Sequence, residues 1–443
     1  MTLLLRASAA LALASAAAAA AAAWQQLAAD APASGPAPRS GAILLGVSGG
    51  GGGGGGSGGA GVVVALSGGC SSSCCYAPLG DLWLFASGAW ANVSAQTGAP
   101  ALPSPRLYHS ASAAASAAAT FFVFGGTDIE TGVLNDLWRV GLSLAPQPLA
   151  ARWELLEPPA PRPPARSGHS QSALRARSGE AGDAFVVFGG ESEESTLADA
   201  WLYTPAASAP AAPAAAAGAA ADGAWSLLTS GAGGGPGPRT QHAAVAVALP
   251  LPPGAAAGFA RALVVSGGSD ALGDDHADVW LLALDASPPA WLRLGAPADA
   301  ADAAAGGAAW PSVRHGHAMW EAAAGAAGAA AGSAASGAAA LTLLLFGGQN
   351  CSVPDPANFL PDTWRFSVAL DVAADGSVAL AGGAAGTFTL VDAGAGVGPG
   401  PRALAGFVAD GAVLAGGFSG YDGGTDDRLH NDVWQAAGAN ATR

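Results

Sequence analysis

The sequence predicts an all-β protein built from six copies of one unit. Two patterns carry this prediction: a pair of glycines that closes a short apolar run, and an Asp-x-Trp tripeptide that begins 9 to 15 residues later. Each pattern occurs six times, and the two alternate along the chain. The apolar runs are short and lack polar alternation, which is typical of strands buried on both faces. Their regular recurrence indicates a repeat architecture.

The glycine pairs close runs such as FFVF (121–124), FVVF (185–188) and LLLF (343–346). The six pairs are Gly68-Gly69, Gly125-Gly126, Gly189-Gly190, Gly267-Gly268, Gly347-Gly348 and Gly416-Gly417. The six tripeptides begin at Asp81, Asp136, Asp199, Asp278, Asp362 and Asp432. Aspartate at a junction between turn and strand often bonds the local backbone, so a structural role is expected for these six residues.

Two further signals complete each unit. A second aromatic residue follows the tripeptide, at Trp90, Trp153, Trp225, Trp291 and Phe388. An arginine, often preceded by proline, then comes three residues before a histidine, in Arg106/His109, Arg166/His169, Arg239/His242 and Arg314/His317, whereas Arg402 is followed by Ala405. Both signals are missing after Trp434 and stand at the other end of the chain, as Trp24 and Pro38-Arg39. An N-terminal strand is therefore predicted to complete the sixth unit.

Together these signals resemble the kelch repeat in its Pro-Arg-x-x-His variety. The resemblance covers residues 24–434 and implies a six-bladed kelch β-propeller, in which each repeat is a four-stranded blade. One such sheet cannot bury both of its faces, whereas six sheets in a ring cover each face with a neighbour. We expect the last blade to be closed by the N-terminal strand, residues 24–436 to form one domain, and residues 437–443 to form a tail.

Residues 1–23 have the layout of a secretory signal peptide, with Arg6, an apolar run and an alanine-rich cleavage region. The alternative is an organellar transit peptide, although such peptides normally carry several arginines. We expect a protein of the extracellular space or endomembrane lumen. Asn92, Asn350 and Asn440 are then candidates for N-glycosylation. The candidates for disulfide bonding are Cys70, Cys74, Cys75 and Cys351, and their pairing is left open.

The acidic residues are concentrated in one part of the repeat, in five of the six units. The net charge is −15 and none of the basic residues is lysine, which excludes a nucleic-acid-binding role. After the N-terminal segment, no apolar run reaches the length of a membrane span. The connections between the second and third strands hold most of the clustered acids, at Asp128, Glu130, Glu191, Glu193, Glu194, Asp270, Asp274, Asp275, Asp355, Asp422, Asp426 and Asp427. We call the face formed by these connections the acidic rim.

In kelch propellers, ligands bind on the face that corresponds to this rim. The connections from the fourth strand of one blade to the first strand of the next also lie on that face. The resemblance therefore implies a monomeric binding module for a protein or glycan, and the acidic rim would attract a basic partner. No cofactor is predicted; Ca²⁺ is the one ion that clustered carboxylates would suit. The alternative is a sugar-modifying enzyme, similar to galactose oxidase or to sialic-acid epimerases. Tyr108, Gln241 and His315 are its candidates at the channel mouth, and no catalytic residue is assigned.

The histidines of the repeat are interpreted as structural because His109, His169, His242 and His317 occupy one repeated position. His315 and His317 have the spacing of two ligands on one face of a strand. One of the two belongs to the repeat, however, so no metal site is predicted from this pair. Ala- and Gly-rich insertions at 49–59, 204–224 and 322–340 are expected in loops on the face opposite the acidic rim.

Overall fold

In the described part of the computed structural model, the regular elements are β-strands and one short 3₁₀ helix, Ala381–Gly383. The described residues are 24–29, 35–46, 64–71, 77–86, 88–94, 102–114, 119–143, 149–177, 180, 182–206, 222–255, 258–297, 310–322, 338–355, 357–394, 398–408, 413–421 and 427–436. Within these ranges, no helix has both the length and the apolar character needed to cross a bilayer. The segments 1–23 and 437–443, and most of the three insertions, lie outside them.

Six antiparallel sheets follow one another along the chain, and these are the blades of a β-propeller. Blade one contains β2 (Ile43–Gly46), β3 (Val64–Ser67), β4 (Leu82–Ala86) and β5 (Ala89–Asn92). Blade two contains β6 (Ser110–Ala113), β7 (Thr120–Asp128), β8 (Gly132–Ser143) and β9 (Ala150–Leu156). Blade three contains β10 (Ser170–Ala173), β11 (Phe185–Phe188), β12 (Ala200–Thr204) and β13 (Ala224–Thr229).

The other three blades repeat this order with local additions. Blade four contains β14 (Ala243–Pro250), β15 (Phe259–Ser266), β16 (Val279–Ala283) and β17 (Ala290–Gly295). Blade five contains β18 (Ala318–Glu321), β19 (Ala339–Phe346), β20 (Thr363–Val372), the added β21 (Val378–Leu380) and β22 (Thr387–Asp392). Blade six contains β23 (Gly406–Val408), β24 (Val413–Ala415), β27 (Val433–Ala436) and β1 (Trp24–Ala28), beside the hairpin of β25 (Phe418–Tyr421) and β26 (Asp427–Leu429).

The predicted closure of the last blade is confirmed. Strand β1 pairs antiparallel with β27, and Trp24 lies opposite Ala436. Strand β27 pairs in turn with β24, so the N-terminal segment is the outermost strand of blade six. Trp24 is buried against Trp320 and Phe346 of blade five. The first described residues of the chain are thereby fixed to the last ones.

The hydrophobic core is divided into layers between neighbouring blades. Phe121 and Val123 pack with residues of blade one, whereas the alternate residues Phe122 and Phe124 pack with blade three. The same strand is therefore buried on both faces, as the absence of polar alternation predicts. In every blade the Asp-x-Trp tryptophan lies on the third strand and the second aromatic lies on the fourth.

The glycine pairs are required by close packing where the blades meet. Gly268 has φ of +95°, and a β-carbon there would lie 2.8 Å from Cβ of His242 and 2.9 Å from the carbonyl oxygen of Thr240. Its neighbour Gly267 faces the next blade, and a β-carbon there would lie 2.6 Å from the carbonyl oxygen of Arg314. Only glycine fits between two backbones at this separation.

Candidate functional site

An Arg–Asp–Trp unit is repeated in all six blades and sets the geometry of the rim. In blade four, the guanidinium of Arg239 donates to both carboxylate oxygens of Asp278, at 2.8 and 3.2 Å, and to the carbonyl oxygen of Gly267 at 2.8 Å. The indole N–H of Trp280 donates to Asp278 at 2.7 Å. The other five units pair Arg39 with Asp81, Arg106 with Asp136, Arg166 with Asp199, Arg314 with Asp362 and Arg402 with Asp432.

These arginines are buried, so their charges are neutralised by the aspartates rather than by water. Burial alone would raise the pKa of Asp278, but the hydrogen bonds and charge of Arg239, with the indole of Trp280, hold that pKa below its ordinary value. The same balance lowers the pKa of Asp81 and of Asp432. The sequence pattern predicts that the aspartates bond the local backbone at a turn. Their structural role instead rests on an ion pair, because each one binds the motif arginine of its blade. The six motif arginines are thus part of the scaffold.

The repeat histidines are buried and neutral. Burial, reinforced by the charge of Arg106 or Arg239, lowers the pKa of His109 and of His242 to about 3. Nε2 of His242 lies 2.9 Å from Oγ of Ser170 in the preceding blade. Nε2 of His169 lies 2.6 Å from Oγ of Ser110 in the same way. The histidines therefore pack one blade against the next and are not proton donors at a rim.

A closed ring of backbone hydrogen bonds encircles the propeller axis. Each blade contributes the residue two positions after its motif arginine, and its N–H donates to the carbonyl oxygen of the equivalent residue in the preceding blade at 2.8 to 3.0 Å. In chain order the members are Gly41, Tyr108, Gly168, Gln241, Gly316 and Leu404. We call these six residues the mouth ring. The bond from Gly41 to Leu404 joins blade one to blade six and closes it.

Side chains alternate with glycines around the mouth ring. Tyr108, Gln241 and Leu404 have φ of 53°, 53° and 55°, values that residues with a side chain seldom adopt. A β-carbon on Gly41 would lie 2.9 Å from Cε1 of Tyr108, and one on Gly316 would lie 3.0 Å from Cδ2 of Leu404. Each side chain thus leans over a neighbouring glycine. Tyr108 and Gln241, two of the candidates from the sequence, are members of this ring, and Leu404 is a third side-chain-bearing member that sequence reasoning missed.

The third predicted mouth residue, His315, lies one position before the ring and belongs to a different cluster. Its Nδ1 lies 2.7 Å from Oδ1 of Asp275. The backbone N–H of Cys351 donates to Oδ2 of the same carboxylate at 2.7 Å. Asp275, His315 and Cys351 each place one potential ligand atom within 4.8 Å of the others. His317, at the other end of the His-x-His pair, instead packs against the glycines of the repeat.

The three members of this cluster differ in access to solvent. The side chains of His315 and Asp275 are 9% and 0% exposed, whereas Cys351 is an exposed residue. Burial, with the negative charge of Asp275, raises the pKa of the Cys351 thiol. The thiol is therefore protonated at neutral pH, which makes it a poor nucleophile by itself. The sequence offered one signal for this cluster: all three residues belong to connections on the rim of blades four and five.

The acidic rim is only partly a surface feature. Glu130, Glu193, Glu194, Asp274 and Asp355 are exposed, and Glu191 and Asp270 are half-buried. Asp128 is buried, and its Oδ1 accepts the N–H groups of Glu130 and Thr131, so it holds the β7–β8 turn instead of facing a ligand. Asp422 and Asp426 lie outside the described residues, as does the side chain of Asp427.

Two exposed aliphatic side chains stand among these acids. Leu272 is 86% exposed and Ile129 is 59% exposed, the two highest values among the large hydrophobic residues that the structure describes. Leu272 lies between Asp270 and Asp274, in a turn that Oδ1 of Asp270 holds by accepting two N–H groups. Ile129 lies beside Glu130. The sequence reveals the acidic residues of this rim, but it does not reveal that Leu272 and Ile129 are exposed between them.

Three of the other exposed leucines have a place in the sheet, whereas Leu102, which is 50% exposed, lies outside the strands. Leu155, Leu227 and Leu390 are 44%, 48% and 45% exposed. Each lies on a fourth strand, directly opposite the Asp-x-Trp tryptophan of its blade. They pair with the tryptophans at a position that Asn92, Arg293 and Gln26 hold in the other three blades. Leu272 and Ile129 have no such role in the sheet.

Two predicted modification sites are revised by their surroundings. Asn350 is 6% exposed, and its Oδ1 accepts the N–H of Ser352, so burial leaves no room for a glycan. Cys351 carries a free thiol in blade five, whereas Cys70 is buried in blade one, so the two are not disulfide partners. Asn92 is exposed and stays a candidate. Cys74, Cys75 and Asn440 lie outside the described part of the chain, and their modification stays a prediction.

Comparison with known proteins adds little to these observations. No family model and no curated protein matches the sequence. Among solved structures, that of YjhT resembles the chain with a TM-score of 0.47 and 12% sequence identity, over 90% of this chain and 95% of that one. A likeness of this degree carries no inference about function.

Proposed function

We propose that this chain is a secreted kelch-type β-propeller that binds a protein partner on its acidic rim. The observation that carries the proposal is the combination of exposed acids and exposed aliphatic tips on one face. The kelch assignment is supported by the sixfold repetition of the Arg–Asp–Trp unit. Secretion is supported by the layout of residues 1–23.

The composition of the rim favours a partner with basic and apolar side chains. Glu130, Glu193 and Asp274 supply negative charge that steers a basic partner toward the rim. Leu272 supplies an apolar tip whose burial would contribute roughly 2 kcal/mol to binding. An exposed leucine is common on any protein surface. Here, however, the side chain stands within a turn fixed by Asp270, so little conformational freedom is lost when it is buried.

The alternative functions have narrower support. A sugar-modifying propeller would need arginine, histidine and tyrosine side chains together at the channel mouth. Tyr108 belongs to the mouth ring, but His315 lies beside the ring and contacts Asp275, and the motif arginines are buried in ion pairs with aspartate. A glycan-binding module would use Tyr108 as a stacking surface and Gln241 as a hydrogen-bonding group. These two side chains come from alternate positions of the mouth ring, on blades two and four.

The proposal is tested with arrays of peptides and of glycans probed with the purified full-length secreted protein. We expect binding to peptides that combine Arg or Lys with Leu or Phe, and weaker binding as salt rises. Leu272→Ser should weaken that binding about tenfold or more. Leu227→Ser is the matched control, because it removes an equally large side chain from the outer strand. Binding to glycans alone, or peptide binding that Leu272→Ser leaves unchanged, would contradict the proposal.

A further inference from the structure

We infer that Asp275, His315 and Cys351 form a binding site for a single divalent zinc-class metal ion. The three residues come from three separate connections on the rim, β15–β16, β17–β18 and β19–β20. One ligand atom from each lies within 4.8 Å of the other two. Two ligand atoms bound to the same tetrahedral ion lie closer together than 4.8 Å. Side-chain movements of about 1 Å or less would therefore bring the three ligand atoms into coordination distance of one ion.

The repeat itself does not require these residue types. Backbone bridges show that Asp275 occupies the position held by Pro78 in blade one, Thr196 in blade three and Phe359 in blade five. The position of His315 is held in the other blades by Ser40, Leu107, Ser167, Thr240 and Ala403. A carboxylate and an imidazole therefore replace hydroxyl and apolar side chains at adjoining places. Their coincidence with Cys351 at one blade junction calls for a specific role.

The charge of Asp275 points to the same conclusion. A buried carboxylate is normally paired with a cation, as the six Asp-x-Trp aspartates are paired with arginine. Within the described part of the chain, the carboxylate of Asp275 makes hydrogen bonds with the imidazole of His315 and the backbone N–H of Cys351, and neither group carries a fixed positive charge. A divalent ion would supply that charge. The existing hydrogen bonds already orient the carboxylate and the imidazole, so little side-chain freedom is lost on binding.

The donor atoms select the class of metal. Thiolate, imidazole and carboxylate together suit Zn²⁺ and related borderline ions, whereas Ca²⁺ prefers oxygen ligands only. Three protein ligands leave a fourth position for water. This position is on the solvent side because Cys351 is exposed while His315 and Asp275 are buried. The site is therefore separate from any Ca²⁺ bound by the exposed carboxylates of the rim.

The test uses metal-free full-length protein titrated with ZnCl₂ against a chromophoric chelator, and with CoCl₂ in an absorption spectrometer. We expect one ion per chain and a thiolate-to-cobalt charge-transfer band in the near ultraviolet. Cys351→Ala and Asp275→Asn should each abolish the band and weaken Zn²⁺ binding by about 100-fold or more. Loss of a residue that only hydrogen-bonds to a metal ligand weakens affinity by up to about 100-fold, and loss of the ligand itself should cost at least as much. Asp355→Asn, an exposed acid of the same loop, is the matched control and should bind as the parent does.

The other cysteines provide the decisive comparison. Cys70, Cys74 and Cys75 stay intact in Cys351→Ala, so a cobalt–thiolate band that persists in this variant would overturn the assignment. So would a parent protein that binds no Zn²⁺ in competition with the chelator. Addition of Zn²⁺ should also raise the melting temperature of the parent and of Asp355→Asn but not of Cys351→Ala. Near-ultraviolet circular dichroism confirms that each variant is folded before titration.

Discussion

The buried histidines should make the stability of the propeller depend strongly on pH, and His242→Gln tests this. His242 packs between Gly189 and Gly268 and contacts Ser170 of the preceding blade. Burial, with the charge of Arg239, lowers its pKa from 6.5 to about 3. Below pH 6.5 the unfolded chain takes up a proton at this residue while the folded chain does not. The folded state therefore loses stability as the pH falls from 6.5 towards 3.

The size of the effect follows from the shift. At pH 5 the unfolded histidine is protonated and the folded one is neutral, which costs about 2 kcal/mol of unfolding free energy relative to pH 7.5. Gln keeps the polar character of the side chain but takes up no proton. We expect His242→Gln to be less stable than the parent at pH 7.5. Its further loss between pH 7.5 and pH 5 should be smaller than that of the parent by about 2 kcal/mol.

Urea denaturation followed by tryptophan fluorescence measures this difference at a series of pH values. Val245→Ala is the control, because it removes buried apolar volume from the adjoining strand and no titrating group. It should lower stability by a similar amount at every pH. If the parent and His242→Gln lose the same stability between pH 7.5 and pH 5, the buried neutral histidine is not the cause and the reasoning fails.

Three further predictions concern the scaffold. Removal of residues 24–28 should cost more than about 3 kcal/mol, because it deletes a buried tryptophan and uncovers β27; a truncated protein with the parental melting temperature would refute this. Arg239→Lys should cost about 3 kcal/mol in urea denaturation, whereas Arg139→Lys, in an exposed ion pair, should cost less than about 1. Gly268→Ala should be at least about 2 kcal/mol less stable than Gly254→Ala, which has nearly the same φ but open space around it; equal losses would show that φ alone matters.

The fold was predictable because its signals are local and repeated. The run before Gly125-Gly126, the tripeptide at Asp136 and the aromatic Trp153 each mark one strand of one blade. The ring closure was also predictable, since a unit missing at one terminus was present at the other. The role of Asp136 was harder to predict: it binds Arg106, 30 residues away, across the blade. Pairing at that range is set by the sheet topology and not by neighbouring residues.

The candidate sites were less predictable for the same reason. His315 and Asp275 are 40 residues apart and Cys351 lies further along the chain. They meet because the connections of adjacent blades converge at one end. Sequence spacing does not show the spatial neighbours of a cysteine, so it indicates a disulfide candidate at Cys351 but not its proximity to His315 and Asp275. The exposure of Leu272 is not visible in the sequence because it depends on the path of its turn, and the side chain of Asp270 sets that path.

The mouth ring has a consequence for the dynamics of the whole chain. Each of its six backbone N–H groups donates to a carbonyl oxygen of the preceding blade. Separating two neighbouring blades at the mouth ring breaks one of these hydrogen bonds, so no blade can detach there as a free end. The amides of Gly41 and Leu404 come from opposite ends of the chain, yet they should exchange with deuterium at the same slow rate as those of Gly168 and Gln241. The propeller should accordingly open at its axis as one cooperative unit.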